Sequence, residues 1–248
     1  MAISSKTDES VAISLNIECP RCSMLIGILC CYIFLLEIAT PVRALARNDI
    51  ESTKGSFMHL ILASQSPRRR ELMGLFRRPF TVRVADIDEN MDPSLPPYDE
   101  VARVSRAKAE AVSRQADDIV VAADTIVVCE GRTLGKPHSE AEAAEMLRLL
   151  SGRDHQVMTG MTVLRGNTAV TCTEVTDIHF RPLSDKEIES YIATGEPMDK
   201  AGAYGIQGGA ALFAQKMHGD YYNVMGLPVC RLHEILTQLA PDYMEDDQ

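Results

Sequence analysis

The sequence predicts an α/β fold, with a mixed β-sheet flanked by helices and two lobes around a central cleft. Three observations carry that expectation. An apolar run, Leu60–Ala63, passes through Ser64, Gln65 and Ser66 straight into the helix-starting residues Pro67 to Arg70. The segment Asp118–Val128 contains IVVAADTIVV, β-branched and apolar on both sides of Asp124, which reads as a buried strand. The remaining strand-like and helical segments follow in mixed order rather than in strict alternation.

The elements can be justified in turn. After the first strand, Ser66 suits the N-cap of a helix over 67–77 and Pro67 its first position, where a missing N–H costs nothing. Phe80–Val84 reads as a strand, and 85–97 as an acidic, proline-bearing loop. Val101, Val104, Ala107, Ala111 and Val112 recur at helical spacing and place a helix over 98–115. Ser139 with Glu142 predicts a capping box opening a helix to Leu150, with Gly152 as its stop. Two strands are expected at 156–164 and 168–181. A second capping box, Ser184 with Glu187, opens a helix ending near Gly195. Beyond the glycine-rich stretch Gly202–Gly209, residues 211–216 suit a strand and 228–239 a closing helix.

Composition bounds the function. The chain has 248 residues, 46% hydrophobic and 24% charged, which are globular values. Its net charge of −10 argues against general nucleic-acid binding and against stable association with an anionic membrane. Four of the seven cysteines fall in the first 31 residues (Cys19, Cys22, Cys30, Cys31), without the spacing of a disulfide framework, as expected in a reducing compartment such as the cytoplasm. Residues 1–57 read as an extension separate from the domain at 58–248. Within it, Met24–Leu36 is apolar but shorter than the roughly 20 residues of a membrane span. Ala44-Leu45-Ala46 could serve as a signal cleavage site, so organelle or secretory targeting stands as the alternative to a cytoplasmic location.

The chemistry-bearing residues cluster in a few segments. Unpaired N–H groups at a helix start attract anions, so Ser64, Arg68 and Arg69 around the Ser66-Pro67 turn suit either a phosphate cradle or an ordinary capped helix with a solvated basic turn. Arg70 points away around the same helix. Asp124 interrupts an apolar strand, where a carboxylate either bonds backbone N–H groups or serves chemistry. Glu89, in the acidic loop, is either solvated or a metal ligand; Asp86, Asp88 and Asp92 are weaker candidates. None of the six histidines falls at a metal-ligand spacing, and no GxSxG, HExxH, GxGxxG or P-loop occurs.

LASQSPRRREL at Leu62–Leu72 resembles the opening of the Maf family of nucleoside triphosphate pyrophosphatases. Further family signatures recur in order: AADT at Ala122–Thr125, GKP at Gly135–Pro137, LSGRDHQVMTG at Leu150–Gly160, DKAGAYGIQG at Asp199–Gly208 and VMGLP at Val224–Pro228. The resemblance implies a Maf/inosine-triphosphatase-like fold with an elongated mixed sheet, and a homodimer. It implies that Asp124 is the proton acceptor that activates water. Lys108, Lys136 and Lys200 would join Arg68 and Arg69 on the phosphates. A divalent cation, Mg²⁺ or Mn²⁺, would lie between Glu89 and Asp124. Arg68, Thr125 and Gln207 match the subgroup acting on dTTP and UTP; a 7-methyl-GTP enzyme and a nucleotide-binding regulator of cell division are the alternatives. Consecutive strand residues face opposite sides, so joint use of Asp124 and Thr125 predicts a local irregularity in that strand.

Overall fold

A computed structural model describes residues 58–84, 86–87, 92, 94–112 and 114–245. The extension at 1–57 and the carboxylates Asp88 and Glu89 lie outside the described residues. In chain order the elements are β1 (Leu60–Leu62), α1 (Pro67–Gly74), β2 (Phe80–Val82), α2 (Pro97–Ala111), β3 (Ile119–Cys129), β4 (Arg132–Leu134) and α3 (Glu140–Leu150). They continue with β5 (Asp154–Arg165), β6 (Thr168–Phe180), α4 (Asp185–Ile192), β7 (Ala214–His218), α5 (Tyr221–Met225), α6 (Val229–Leu239) and α7 (Pro241–Glu245). Three short 3₁₀ segments, Glu196–Asp199, Ala201–Ala203 and Gly209–Leu212, fill the glycine-rich region.

The strands form one seven-stranded mixed sheet in the order β2-β1-β3-β5-β6-β7, with β4 added to β3. β1 runs parallel to β2 and β3, whereas β3, β5, β6 and β7 pair antiparallel in sequence. On one edge of β3, β1 ends opposite Val121 and β4, running antiparallel, ends opposite Val127. Among the described residues, Ala122–Ile126 therefore have a strand partner on one side only, β5. That uncovered stretch divides the core. Leu60, Leu62, Val121 and Ala123 pack with Met73, Leu232 and Leu236 on one side of it. Val127 and Cys129 pack with Leu147, Leu150, Phe180 and Phe213 on the other. The two packed regions are the expected lobes, and β3 runs through both.

Helix α2 shows why one glycine of β5 is required. Val101, Val104, Ser105 and Ala109 are its buried face. At Gly160 the helix lies directly on the strand, because a Cβ there would collide with the Val101 carbonyl and the Ala102 nitrogen. Gly160 pairs with Asp124 in the register.

Several boundaries differ from the sequence reading, each for a local reason. Helix α1 ends at Gly74, three residues early, and Arg77 beyond it is in the left-handed region at φ 53. The capping box at Ser184–Glu187 is complete. At Ser139 only half of it forms: Ser139 accepts from Glu142 N, but the Glu142 carboxylate accepts from His138 N at 2.7 Å instead. Asp220 caps the short α5 through Tyr222 N; this helix carries no apolar periodicity long enough to read.

Candidate active site

The strand-to-helix turn after β1 is built as its sequence dictates. Ser66 caps α1 by accepting from Arg69 N, and Pro67 occupies the first turn. Ser64 is nearly buried, and its Oγ accepts from Ser66 N and from Arg69 Nη1, each at 3.2 Å. Arg69 folds back across the turn. Its Nε donates to the Gly226 carbonyl at 2.7 Å and its Nη2 to Thr125 Oγ1 at 2.9 Å. Gly226 ends α5 at φ 104, and a Cβ there would stand 3.3 Å from both Arg69 Nε and Thr125 Oγ1. Only glycine combines that backbone angle with that clearance.

Asp124 and Thr125 sit at the centre of the uncovered stretch of β3. The expected irregularity is not there: the β3–β5 register runs without a shift from Ile119 to Val128. The two side chains therefore face opposite sides of the sheet. Asp124 turns toward α2, where Lys108 Nζ donates to its Oδ1 at 2.7 Å, with both side chains less than one-fifth exposed. Thr125 turns toward α1 and α5. Neither β1 nor β4 pairs with the strand edge at these two residues.

The glycine-rich segment closes the other side. Gly202 N donates to the Gly135 carbonyl, so the loop carrying Lys136 is tied to the turn carrying Lys200. Lys200 Nζ donates to Asp199 Oδ1 at 2.6 Å and to the Glu196 carbonyl at 2.7 Å. Arg68 reaches Asp199 across the cleft at 3.6 Å. Partial desolvation alone would raise the Asp199 carboxyl; the Lys200 hydrogen bond and the Lys200 and Arg68 charges outweigh it and hold the group below its ordinary value. Beneath the loop, Tyr191 Oη donates to Glu196 Oε1 and accepts from Gly205 N, while Gly209 N donates to Glu196 Oε2. Burial pushes the Tyr191 phenol up, so its proton stays in that bond. Gln207 projects, exposed, from the loop that these bonds hold.

The Maf-like protein family model matches residues 59–239, the whole of this arrangement. The chain belongs to the Maf family. It is 51% identical over 187 residues to the "dTTP/UTP pyrophosphatase" of Moorella thermoacetica, covering 74% of this chain and 96% of that one. It is 52% identical over 182 residues to the protein of the same name from Symbiobacterium thermophilum, covering 73% and 94%. Among solved structures, alignment with a HAM1 protein from Coxiella burnetii gives a TM-score of 0.40 at 13% identity, over 73% of this chain and 100% of that one.

The fold thus joins Ser64, Arg69 and Thr125 in one hydrogen-bonded group, pairs Lys108 with Asp124 on the other face of β3, and links Arg68 and Lys200 through Asp199; Lys136 follows Gly135, which is bonded to Gly202, and Gln207 is exposed in the glycine-rich segment. Glu89 lies outside the described residues; Glu100 Oε1 accepts from Asp92 N at 2.8 Å, which ties that point of the acidic loop to α2. Among the described residues no three acidic, His or Cys side chains converge. A Mg²⁺-type ion takes one or two carboxylates and fills its shell with phosphate oxygens and water, so Asp124 fits as one ligand of that sparse set. The sequence reading did not single out Glu196, Tyr191, Thr159 or Asn223. Thr159 and Gly160 stand inside the signature at Leu150–Gly160. Their position was visible there, but their partners are remote in sequence.

Proposed function

We propose that this Maf-family chain is a nucleoside triphosphate pyrophosphatase that cleaves dTTP, UTP and related modified pyrimidine nucleotides to the monophosphate and pyrophosphate. Its role would be to clear such nucleotides from the precursor pool. The observation that carries the reading is Asp124 at the uncovered edge of β3, oriented by Lys108, in a chain half identical to relatives that bear that name.

Water attacks the α-phosphorus, the bond to the bridging oxygen of the β-phosphate breaks, and Asp124 takes the water proton. Lys108 holds the Asp124 carboxylate in place. Arg68, Lys136 and Lys200 meet the phosphates and the charge that develops on the leaving pyrophosphate. Arg69 joins the cradle from below, fixed by Ser64, Thr125 and Gly226. A divalent cation, held by Asp124 and Glu89, would neutralise the triphosphate when bound. Arg68, Thr125 and Gln207 select the pyrimidine base, as in the subgroup they match.

The family resemblance supports a homodimer, and the net charge of −10 supports a protein that does not bind nucleic acid. No helix of the described residues is long and apolar enough to cross a membrane; a cytoplasmic location is the reading that the cysteine pattern favours.

A pyrophosphate-release assay across natural and modified triphosphates tests the activity. UTP and dTTP should be cleaved with the highest kcat/KM and yield monophosphate and pyrophosphate. Preference for 7-methyl-GTP would overturn the substrate assignment, and absence of turnover with every triphosphate would overturn the activity.

A further inference from the structure

Beneath Thr125 runs a chain of hydroxyls whose proton positions follow from its far end. Arg69 Nη2 donates to Thr125 Oγ1 at 2.9 Å. Thr125 Oγ1 and Thr159 Oγ1 lie 2.9 Å apart, and Thr159 Oγ1 lies 3.0 Å from the main-chain carbonyl of Asn223. A carbonyl can only accept, so Thr159 spends its single hydroxyl proton there. Thr159 must then accept from Thr125, and Thr125 has spent its own proton in turn. Toward the cleft and Arg69, the Thr125 hydroxyl is an acceptor. The order Arg69→Thr125→Thr159→Asn223 runs one way, and such chains strengthen each of their bonds, most of all when a charged donor heads them.

The anchor is firm. Asn223 is fully buried at the centre of α5, and its Nδ2 donates to the Val157 carbonyl at 3.1 Å and to Thr176 Oγ1 at 2.9 Å. Thr176 Oγ1 donates onward to the Asp220 carbonyl, the N-cap of the same helix. Thr159 is likewise fully buried and paired with Thr125 in the β3–β5 register. Without Thr159 the Thr125 hydroxyl could rotate, and the guanidinium would lose a fixed acceptor.

We propose that Thr159 is a positioning residue for substrate recognition: anchored on Asn223, it fixes the Thr125 hydroxyl as an acceptor and through it the Arg69 guanidinium. This deepens the pyrophosphatase reading and rests on it. Thr159 touches no part of the cleft itself; it ties the base-selective position to the phosphate cradle from behind.

The test compares Thr159→Ser, Thr159→Val, Thr125→Val and the double variant T125V/T159V with the wild-type chain. Valine matches threonine in shape and suits a strand. The Asn223 carbonyl keeps its bond from Gly226 N at 2.9 Å, so the fold should survive. Two quantities are read: the NMR signals of the Arg69 Nη–H groups, of which Nη2 donates to Thr125, in the free protein, and KM, kcat and the UTP:GTP ratio of kcat/KM. Thr159→Val should broaden or shift the Arg69 signal and raise KM for UTP about tenfold, the worth of one charge-assisted hydrogen bond. It should change kcat much less and lower the UTP:GTP ratio. Thr159→Ser, which keeps the hydroxyl, should restore all of these. The double variant should be no worse than Thr125→Val, because both substitutions cut one chain. An unchanged Arg69 signal with wild-type KM and selectivity in Thr159→Val overturns the proposal, and so do losses that add in the double variant. Absence of UTP and dTTP turnover in the wild-type chain overturns the activity reading alone, since the Arg69 signal still reports the chain of hydroxyls.

Discussion

Asp124 gains its place from an exception to its surroundings. Its strand is buried along both flanks, yet Asp124 and Thr125, at the centre of the stretch that neither β1 nor β4 pairs, retain partial exposure. A base there can be both oriented and reached by water. Asp124→Asn should lower kcat by about 10²–10⁴, the usual contribution of a positioned acid–base group, while nucleotide binding measured by calorimetry survives. Near-wild-type turnover would remove Asp124 from the mechanism. Gln207 is the second informative residue. Its amide can donate to and accept from a uracil or thymine edge, whereas a carboxylate only accepts and suits the N–H donors of guanine. Gln207→Glu should reduce the ratio of kcat/KM for UTP over 7-methyl-GTP by about tenfold or more. An unchanged ratio would mean that the base is read elsewhere.

Elements act here through close approach. Helix α2 reaches Asp124 only because Gly160 admits its backbone onto β5. Gly160→Ala should destabilise the fold by about 1–3 kcal/mol or more, as overpacking does, and should loosen Lys108 from Asp124. A thermal melt reads the first effect and kcat the second; an unchanged melting temperature would mean that α2 can retreat without cost. Strand β5 also carries His155, buried against Phe180 and hydrogen-bonded through Nε2 to Tyr204 Oη at 2.9 Å. Burial lowers its pKa from 6.5 to about 4. The unfolded chain therefore binds the proton more readily than the folded one between those values. The stability this represents is complete above pH 6.5 and is lost as the pH falls toward 4, to the extent of about 3 kcal/mol. Denaturant melts of the wild-type chain and of His155→Gln, which does not titrate, should diverge in that interval. Parallel curves would show that other groups govern the acid limb.

For the molecule as a whole, the family match begins at His59 and the first core contacts at Met58 and Leu60. A chain starting at Met58 should therefore fold cooperatively and keep the kcat/KM of the full chain; an insoluble or inactive product would make the extension part of the domain. Much of this architecture was legible in the sequence because its signals are local. Ser66-Pro67 fixes where α1 begins, Ser184 with Glu187 opens α4, and the β-branched run sets β3. The signatures themselves singled out Asp124, Thr125 and Gln207. Tertiary structure decided what those residues touch. That Asp124 and Thr125, on opposite faces of an unbroken strand, both lie in its uncovered stretch depends on where β1 and β4 end. Neither end is encoded near residue 124. The same holds for Arg69, whose partners are Ser64, Thr125 and Gly226, and for Thr159, whose proton is directed by a carbonyl 64 residues away. Capping and strand propensity act within a few residues and can be read from the chain; hydrogen bonds between remote segments exist only once packing has brought their donors and acceptors together.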